Sequence, residues 1–144
     1  MPDNRPSKHE YWLDILDGVK ARSTCPRRHT AAIIVDSRNF LLSSGYNGSP
    51  IGVPNCIDVP CGGERQQSGD TSLCIAVHAE QNAIIQAGDR LKYADRMYCT
   101  TRPCFTCSKL ICQTGIRIIY YREDYPDDMS DFLFLKAGIR LVKR

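Results

Sequence analysis

Apolar residues recur along this chain with helical and strand periods, and each period predicts a type of element. Ser7 and Glu10 form the capping-box pattern that marks the start of a helix. Four apolar residues then follow at helical spacing: Trp12, Leu13, Leu16 and Val19. The pattern predicts an amphipathic first helix that ends near Ala21.

Two strand-like segments follow in "TAAIIVDSRNFLLSSGYNG" and predict a β-hairpin with a tight turn between Asp36 and Asn39. The first segment is apolar at successive positions, which is typical of a central strand buried on both faces. From Tyr46 to Asp70 the chain is rich in Gly, Pro, Asn, Ser and Cys. A loop of this length in a compact domain is usually functional, tied by a metal or disordered, and its cysteines favour the metal.

The second half of the chain alternates helical and strand patterns. Helices are predicted over 77–87 and 104–114, each followed by a glycine, and strands at "RMYCTT" and "IRIIYY". A last helix at 129–136 and a strand at 139–142 extend the series. Crossover connections of this kind pair strands in parallel. We therefore predict one α/β domain, residues 1–144, with a mixed five-stranded sheet between helices on both faces.

Composition excludes several classes of protein. The chain has 144 residues, of which 42% are hydrophobic and 24% charged, as in an ordinary globular domain. The net charge is +3 and the basic residues are scattered, so small anions such as nucleotides fit better than a nucleic acid. The start "MPDNRPSKHE" has no signal-peptide segment, and the longest apolar run is too short for a membrane span. We expect a cytoplasmic protein.

The chain has eight cysteines, and in a reducing compartment clustered thiols favour metal binding or catalysis over disulfides. Cys104 and Cys107 lie at the start of a predicted helix, where both sulfurs can face one point. The positive end of that helix lowers the pKa of such thiols toward the metal-binding form. Pro103 is predicted to begin the helix.

His78 and Glu80 stand at the head of the apolar helix "IAVHAEQNAII". Residues two apart point in opposite directions on a regular helix, so these two converge only near its N-terminus. One histidine and two cysteines supply the three protein ligands of a catalytic zinc, which leaves Glu80 as a proton shuttle. Either motif alone favours a structural role. Together, H-x-E followed by P-C-x-x-C is the pattern of zinc-dependent nucleobase deaminases.

The chain resembles the deoxycytidylate (dCMP) deaminases of the cytidine deaminase superfamily. The similarity runs from about Cys25 to Tyr125, through "CPRR", "GYNGSP", "NCIDVPC", "HAEQNAI", "PCFTC" and "TGIRIIYY". The resemblance implies the three-layer α/β/α sandwich of the cytidine deaminase type. It also implies hydrolysis of dCMP to dUMP and ammonia, which supplies dUMP for dTMP synthesis, and a homo-oligomer, commonly a hexamer.

The resemblance assigns roles to particular residues. His78, Cys104 and Cys107 are implied to hold zinc, which activates water, and Glu80 is the implied catalytic residue. Glu80 would pass a proton from that water to the ring N3 and later to the amine that leaves C4. The backbone N–H of Ala79 is implied to hold the ring carbonyl.

Two further residues have a binding and a structural interpretation. Asn47 matches a family position near the nucleotide sugar, but Asn-Gly is also a strong turn pair. Tyr125 matches a tyrosine of the substrate site, and packing is its alternative. In the family, "GYNGSP" belongs to a regulatory site where dCTP activates and dTTP inhibits, usually with Mg²⁺. Its candidate residues here are Gly45, Tyr46, Asn47 and Gly48.

Four other cysteines predict a second, structural zinc site that would order the long loop: Cys25, Cys56, Cys61 and Cys74. Buried thiols without metal are the alternative. Some relatives use His or Glu ligands, and Ser68 and Ala76 stand roughly where such ligands occur. Cys99 and Cys112 are predicted to be packed free thiols.

Arginines are the candidates for binding phosphate, because a planar guanidinium binds it through two hydrogen bonds. The candidates are Arg27, Arg28, Arg102 and Arg122. Arg102 stands where family members more often carry a neutral residue. Our hypothesis is that Arg102, or Arg27 together with Arg28, sets how many phosphates of the nucleotide are accepted. The alternatives to dCMP deamination are dCTP deamination, a nucleic-acid deaminase and a non-enzymatic zinc-binding module.

Overall fold

The computed structural model describes residues 2–67 and 69–144, which form five strands and four α-helices. In chain order these are α1 (Lys8–Lys20), β1 (Ala31–Asp36), β2 (Leu41–Tyr46), α2 (Ala79–Ala87), β3 (Ala94–Thr101), α3 (Phe105–Cys112), β4 (Ile118–Glu123), α4 (Asp128–Ala137) and β5 (Arg140–Lys143). Each predicted helix and strand is present, with bounds shifted by a few residues. Two short 3₁₀ turns, Gly63–Arg65 and Gly88–Tyr93, were not predicted.

The strands form one mixed sheet in the order β2-β1-β3-β4-β5. β1 runs antiparallel to both β2 and β3, whereas β3, β4 and β5 run parallel to one another. The predicted hairpin is closed by the Asp36 carboxylate, which accepts the backbone N–H groups of Arg38 and Phe40 at 2.9 Å each. The predicted fold class, a mixed five-stranded α/β/α sandwich of the cytidine deaminase type, is confirmed.

Helices cover both faces of the sheet. On one face α1 packs alone over a core formed by Trp12, Leu13, Leu16, Ala31, Ile33, Val35, Tyr98 and Tyr120. On the other face α2, α3 and α4 enclose a second core, to which β1 contributes Ala32 and Ile34. All six residues of β1 are buried, as expected for a central strand. None of the helices in residues 2–67 and 69–144 combines the length and apolarity of a transmembrane segment.

Helix α1 begins as its sequence predicts. Ser7 Oγ accepts the N–H of Glu10, and Glu10 Oε2 accepts the N–H of Ser7 at 2.7 Å. Arg122, one of the phosphate candidates, is bound to this helix, because its guanidinium donates to Asp17 Oδ1 at 2.7 Å and to the Leu13 carbonyl at 2.5 Å. These bonds give Arg122 a structural role on the α1 face of the sheet.

Helix α2 is held against β2 by close backbone packing at Gly45. A Cβ at this position would overlap the carbonyl oxygen of Ala79 and the amide nitrogen of Ala83. The Asn82 side chain adds a hydrogen bond to the Tyr46 carbonyl at 2.8 Å. Gly45, the first glycine of "GYNG", therefore fixes how closely the first turns of α2 approach the sheet.

We predict that Gly45→Ala is destabilising, because the added methyl must push α2 away from β2. Overpacking of this kind costs about 1–3 kcal/mol. Gly18→Ala is the matched control, since Gly18 lies exposed in α1 and its Cβ would meet nothing within 4 Å. That substitution should stabilise the helix by about 0.5–1 kcal/mol. Urea unfolding of both variants measures the difference, and equal stability of the two would contradict the packing role of Gly45.

Candidate active site

His78 and Glu80 meet because the chain enters α2 between them. His78 is the N-cap residue, with an extended backbone at φ −70° and ψ 155°, and Glu80 is the second residue of the helix. The Gln81 side chain holds this entry, since its Oε1 accepts the His78 N–H at 2.8 Å. The predicted convergence of the two side chains near the helix N-terminus is confirmed.

Cys104 and Cys107 occupy the equivalent place on α3. Cys104 is the N-cap residue and Cys107 lies in the first turn. Pro103 was predicted to begin this helix, which is wrong: Cys104 is extended at φ −77° and ψ 173°, so the helix begins at Phe105. Cys104 follows Pro103, and its extended backbone turns its own sulfur toward His78. A helical backbone at Cys104 would not do this.

The His78, Cys104 and Cys107 ligand atoms lie within 4.8 Å of one another. His78 Nδ1 is 3.4 Å from the Cys104 sulfur and 3.3 Å from the Cys107 sulfur. A tetrahedral zinc with ordinary Zn–N and Zn–S bonds separates such ligand atoms by roughly 3.6 Å. One imidazole and two thiols at this spacing therefore fit zinc.

Burial and hydrogen bonding set the protonation of this group. The Cys107 thiol hydrogen-bonds to Cys104 and, helped by His78, lowers the pKa of Cys104 to about 4. The same contact, together with burial, raises the pKa of Cys107. Burial raises the pKa of Glu80, whose Oε2 lies 3.5 Å from the Cys107 sulfur. A carboxyl group buried beside the candidate metal ligands is placed to take and give a proton.

A cavity of about 550 Å³ opens over these residues. Sequence-predicted residues that line it are Cys25, Arg27, Arg28, Asn47, Cys74, His78, Glu80, Arg102, Cys104 and Tyr125. Other lining residues were not predicted: Thr30, Gly69, Thr71, Thr101, Phe105, Thr106 and Asp127. Ala76 also lines the cavity and was named only as an alternative ligand position. Phe105 and Thr106 could have been found, since they lie between the two cysteines of "PCFTC". Ala79 is fully buried at the first position of α2.

Asn47 is a buried hydrogen-bonding centre at one side of the cavity. Its Oδ1 accepts Ser23 Oγ at 2.6 Å and the Thr30 N–H at 2.9 Å, while its Nδ2 donates to the Arg28 carbonyl at 2.8 Å. The turn interpretation of Asn47 is wrong, because the next residue, Gly48, pairs with Val77 in a β-bridge. Nδ2 carries a second N–H, which has no partner among residues 2–67 and 69–144.

Arg27 is bound to the backbone of the cysteine-rich loop. Its guanidinium donates to the carbonyl oxygens of Gln67 at 2.6 Å, Gly63 at 2.8 Å and Asp70 at 3.3 Å. Three acceptors occupy most of the donors of this group. Arg27 therefore orders the loop, and few of its N–H groups are left for a phosphate.

The other two cavity arginines differ in how firmly they are held. Arg102 forms an ion pair with Asp131 of α4, and its side chain is only 18% exposed. Arg28 is 41% exposed and lies 3.4 Å from Glu123, which is itself 64% exposed. The Arg28 guanidinium also lies 5.7 Å from the centre of the Tyr125 ring. Arg28 is thus the cation that can move toward a ligand at least cost.

The residues of "GYNG" have structural contacts of their own. Gly45 packs against α2, the Tyr46 carbonyl accepts the Asn82 amide, and Gly48 lies so close to Thr24 that a Cβ would be 2.7 Å from its hydroxyl oxygen. These contacts account for both glycines through packing alone. A regulatory nucleotide at this segment stays a prediction.

The four cysteines of the predicted second zinc site are only partly together. Burial raises the pKa of Cys56, and its thiol lies close enough to Cys61 to lower the pKa of that residue; Cys25 also lies near Cys56. Within residues 2–67 and 69–144, the His78 group is the one set of three or more candidate ligands whose atoms all lie within 4.8 Å. The four sulfurs therefore do not converge on one point.

The remaining candidates are the alternative zinc-ligand positions Ser68 and Ala76 and the two cysteines predicted to be packed thiols. Ser68, an alternative ligand position, lies outside the described residues, and Ala76 carries no ligand atom. Cys99 is buried in the core and Cys112 packs against it, as predicted for free thiols. Burial raises the pKa of both thiols.

The fold and the site together define a class of protein. A mixed sheet between helical layers, with a His-Cys-Cys group at two helix N-termini, is the arrangement of a zinc-binding deaminase domain. Residues 6–123 match the family model of the cytidine and deoxycytidylate deaminase zinc-binding region, and the chain belongs to this family.

Several relatives carry the name deoxycytidylate deaminase. The protein of Saccharomyces cerevisiae is 38% identical over 143 residues, which cover 96% of this chain and 45% of the yeast protein. The chain thus spans about half the length of that relative. The protein of Mycobacterium phage D29 is 35% identical over 83% of this chain and 98% of its own length.

A solved structure extends the likeness to the whole fold. The dCMP deaminase of cyanophage S-TIM5, crystallised with dCMP and dUMP, superposes with a TM-score of 0.78 at 29% identity. The match covers 99% of this chain and 100% of the phage chain. No large insertion therefore separates the two folds.

Proposed function

We propose that this chain is a zinc-dependent deaminase that hydrolyses dCMP to dUMP and ammonia. The observation that carries the proposal is the grouping of His78, Cys104 and Cys107 beside Glu80, at a cavity of about 550 Å³ that His78, Glu80 and Cys104 line. A metal-binding module gives a buried carboxylate beside the metal ligands no task, whereas a hydrolase requires it. The phage relative crystallised with dCMP and dUMP supports the choice of substrate.

The residues divide the reaction between them. Zinc held by His78, Cys104 and Cys107 supplies, when bound, the Lewis acidity that makes a hydroxide nucleophile available near neutral pH. Glu80 takes the proton that water loses and delivers it to N3 of the cytosine ring. It then takes the second proton from the hydroxyl group now on C4 and gives it to the C4 amine, so that a C–O bond replaces the C–N bond and ammonia leaves. The N–H of Ala79, free at the first position of α2, binds the ring carbonyl.

The rest of the nucleotide lies along the cavity wall in this proposal. The free N–H of Asn47 meets a sugar hydroxyl, and Tyr125 packs beside the substrate. Arg28 binds the phosphate, because it lines the cavity and its present partner, Glu123, is exposed. Arg27 and Arg102 are secondary candidates, since carbonyls and Asp131 already occupy them.

Finer parts of the function rest on family resemblance alone. These are activation by dCTP, inhibition by dTTP with Mg²⁺, a hexameric assembly, and supply of dUMP for dTMP synthesis. Deamination of dCTP requires the same ring chemistry and differs only in phosphate number. A strand-specific deaminase needs a surface for the strand, and the scattered basic residues do not favour one.

We also infer a second zinc that orders the loop between β2 and α2. Support comes from the closeness of Cys56 to Cys61 and to Cys25. Cys74 is the fourth proposed ligand. Zinc binding worth about 10 kcal/mol in small domains would offset the entropy lost when the loop is ordered.

Glu80→Gln tests the mechanism. The amide is nearly isosteric but cannot take up a proton, so turnover of dCMP should fall roughly 100- to 10,000-fold. Circular dichroism and zinc content should match those of the unsubstituted chain. Undiminished turnover in a variant that retains its zinc would remove Glu80 from the proposed mechanism.

A substrate panel with Arg28→Ala tests the assigned phosphate contact. Loss of a charge-assisted hydrogen bond should lower kcat/KM for dCMP about 10-fold while changing that for deoxycytidine little. Arg90→Ala is the matched control, since Arg90 is exposed on the 3₁₀ turn outside the cavity. If Arg102→Ala instead changes the preference between dCMP and dCTP, the phosphate role belongs to Arg102.

The same panel separates the rival functions. It contains dCMP, dCTP, CMP, deoxycytidine and a cytosine-containing single strand, each assayed with and without dTTP. Activity on the strand alone would overturn the choice of a free nucleotide. A dTTP effect on dCMP turnover would support the regulatory site.

Metal analysis tests the two zinc sites separately. We predict about two zinc ions per chain, one for each cysteine group. Joint substitution of Cys56 and Cys61 by serine should remove one ion and leave the other in place. Cys104→Ser should remove the other ion together with the activity. A single zinc that is lost only with Cys104 would leave the loop cysteines without a metal role.

A further inference from the structure

One carboxylate caps two helices beside the candidate metal centre. Asp127 is the N-cap residue of α4, where its Oδ1 accepts the Ser130 N–H at 3.1 Å. Its other oxygen, Oδ2, accepts the N–H of Phe105, the first residue of α3, at 2.8 Å. The two capped helices are thus joined through both oxygens of a single side chain.

Ser130 adds a second bond between the same segments. Its hydroxyl donates to the Pro103 carbonyl at 2.9 Å, and the residue is only 1% exposed. Pro103 and Phe105 are the two chain neighbours of Cys104. The backbone on both sides of this proposed ligand is therefore held from the first turn of α4.

The first turn of α3 needs such support from outside. An N-cap residue normally offers its own side chain to the free N–H groups of the helix. Here the N-cap residue is Cys104, whose sulfur lies 3.4 Å from His78 Nδ1. Asp127 supplies an acceptor in its place from 22 residues along the chain. A helix of only eight residues has few bonds of its own to hold that turn.

We propose that Asp127 is a positioning residue of the metal centre, which fixes Cys104 and Cys107 against His78 by capping α3 and α4 together. The inference rests on the proposed zinc site. It explains why an aspartate is suited to this position: the two N–H groups bind different oxygens, and asparagine would set an NH₂ donor against one of them. An unfixed α3 would hold zinc less tightly and present it to the substrate less accurately.

Asp127→Asn, with Asp128→Asn as its matched control, tests the proposal. Asp128 is exposed, lies in the same turn and loses the same charge, but neither helix start is capped by it. The rate at which zinc passes from the purified protein to a colorimetric chelator is measured. The kinetic phase of zinc release that is missing in Cys107→Ser is assigned to the His78, Cys104 and Cys107 site. Zinc should leave Asp127→Asn about 10-fold faster than the control, as is common for residues that orient metal ligands.

Steady-state kinetics on dCMP provide a second readout. Because Asp127 acts on the metal ligands, kcat should fall more than KM rises in Asp127→Asn, and neither should change in Asp128→Asn. Ser130→Ala keeps the Ser130 backbone N–H and removes only the bond to Pro103. It should accelerate zinc release by a smaller factor, and it carries the test if Asp127→Asn does not fold.

The positioning role would be overturned if Asp127→Asn released zinc at the same rate as Asp128→Asn. If Asp127→Asn does not fold, zinc release from Ser130→Ala at the rate of the unsubstituted chain would overturn it instead. The proposed function fails in a different way. If Cys107→Ser retains every release phase of the unsubstituted chain, the zinc site itself is misplaced.

Discussion

The site depends on two helices that begin at the same place. α2 and α3 start on the same side of the sheet, and each brings ligand atoms at its N-cap or in its first turn. The unpaired N–H groups and the positive end of the helix dipole at both starts stabilise negative charge. Thiolates are stabilised at such helix starts.

Burial then gives each group around the cavity a distinct task. Glu80 is almost fully buried, and this burial raises its pKa above that of an exposed carboxylate. Most of the arginines at the cavity are bound elsewhere: Arg27 to carbonyls and Arg102 to Asp131. Arg28 is therefore the most available cation at the cavity, because its partner Glu123 is itself exposed.

The sequence allowed most of the fold to be predicted because periodicity reports which face of an element is buried. The alternation of Ile33 and Ile34 between two cores is visible in the run of apolar residues from Ala31 to Val35. The metal ligands could be predicted because H-x-E and P-C-x-x-C place them at helix starts. The helix start at Phe105 was misjudged, since the extended backbone of Cys104 is fixed by a distant carboxylate.

Contacts between distant segments could not be predicted from local patterns. The binding of Arg27 to Gly63, Gln67 and Asp70 joins residues about forty positions apart, and nothing in "CPRR" indicates it. The double cap by Asp127 and the central position of Asn47 are of the same kind. Each depends on packing that brings a loop to a helix start, which only the three-dimensional structure reveals.

Arg27 gives the cysteine-rich loop a direct connection to the cavity. The same side chain binds three loop carbonyls and lines the space a ligand would fill. Local opening of the loop would withdraw part of the cavity wall, so a ligand that needs this wall must oppose the opening. Ordering of the loop and binding of the ligand are thermodynamically linked. An interaction that orders the loop therefore raises the affinity for the ligand, by the same factor by which the ligand strengthens that interaction. Resistance of this loop to proteases would then report how fully the cavity is occupied.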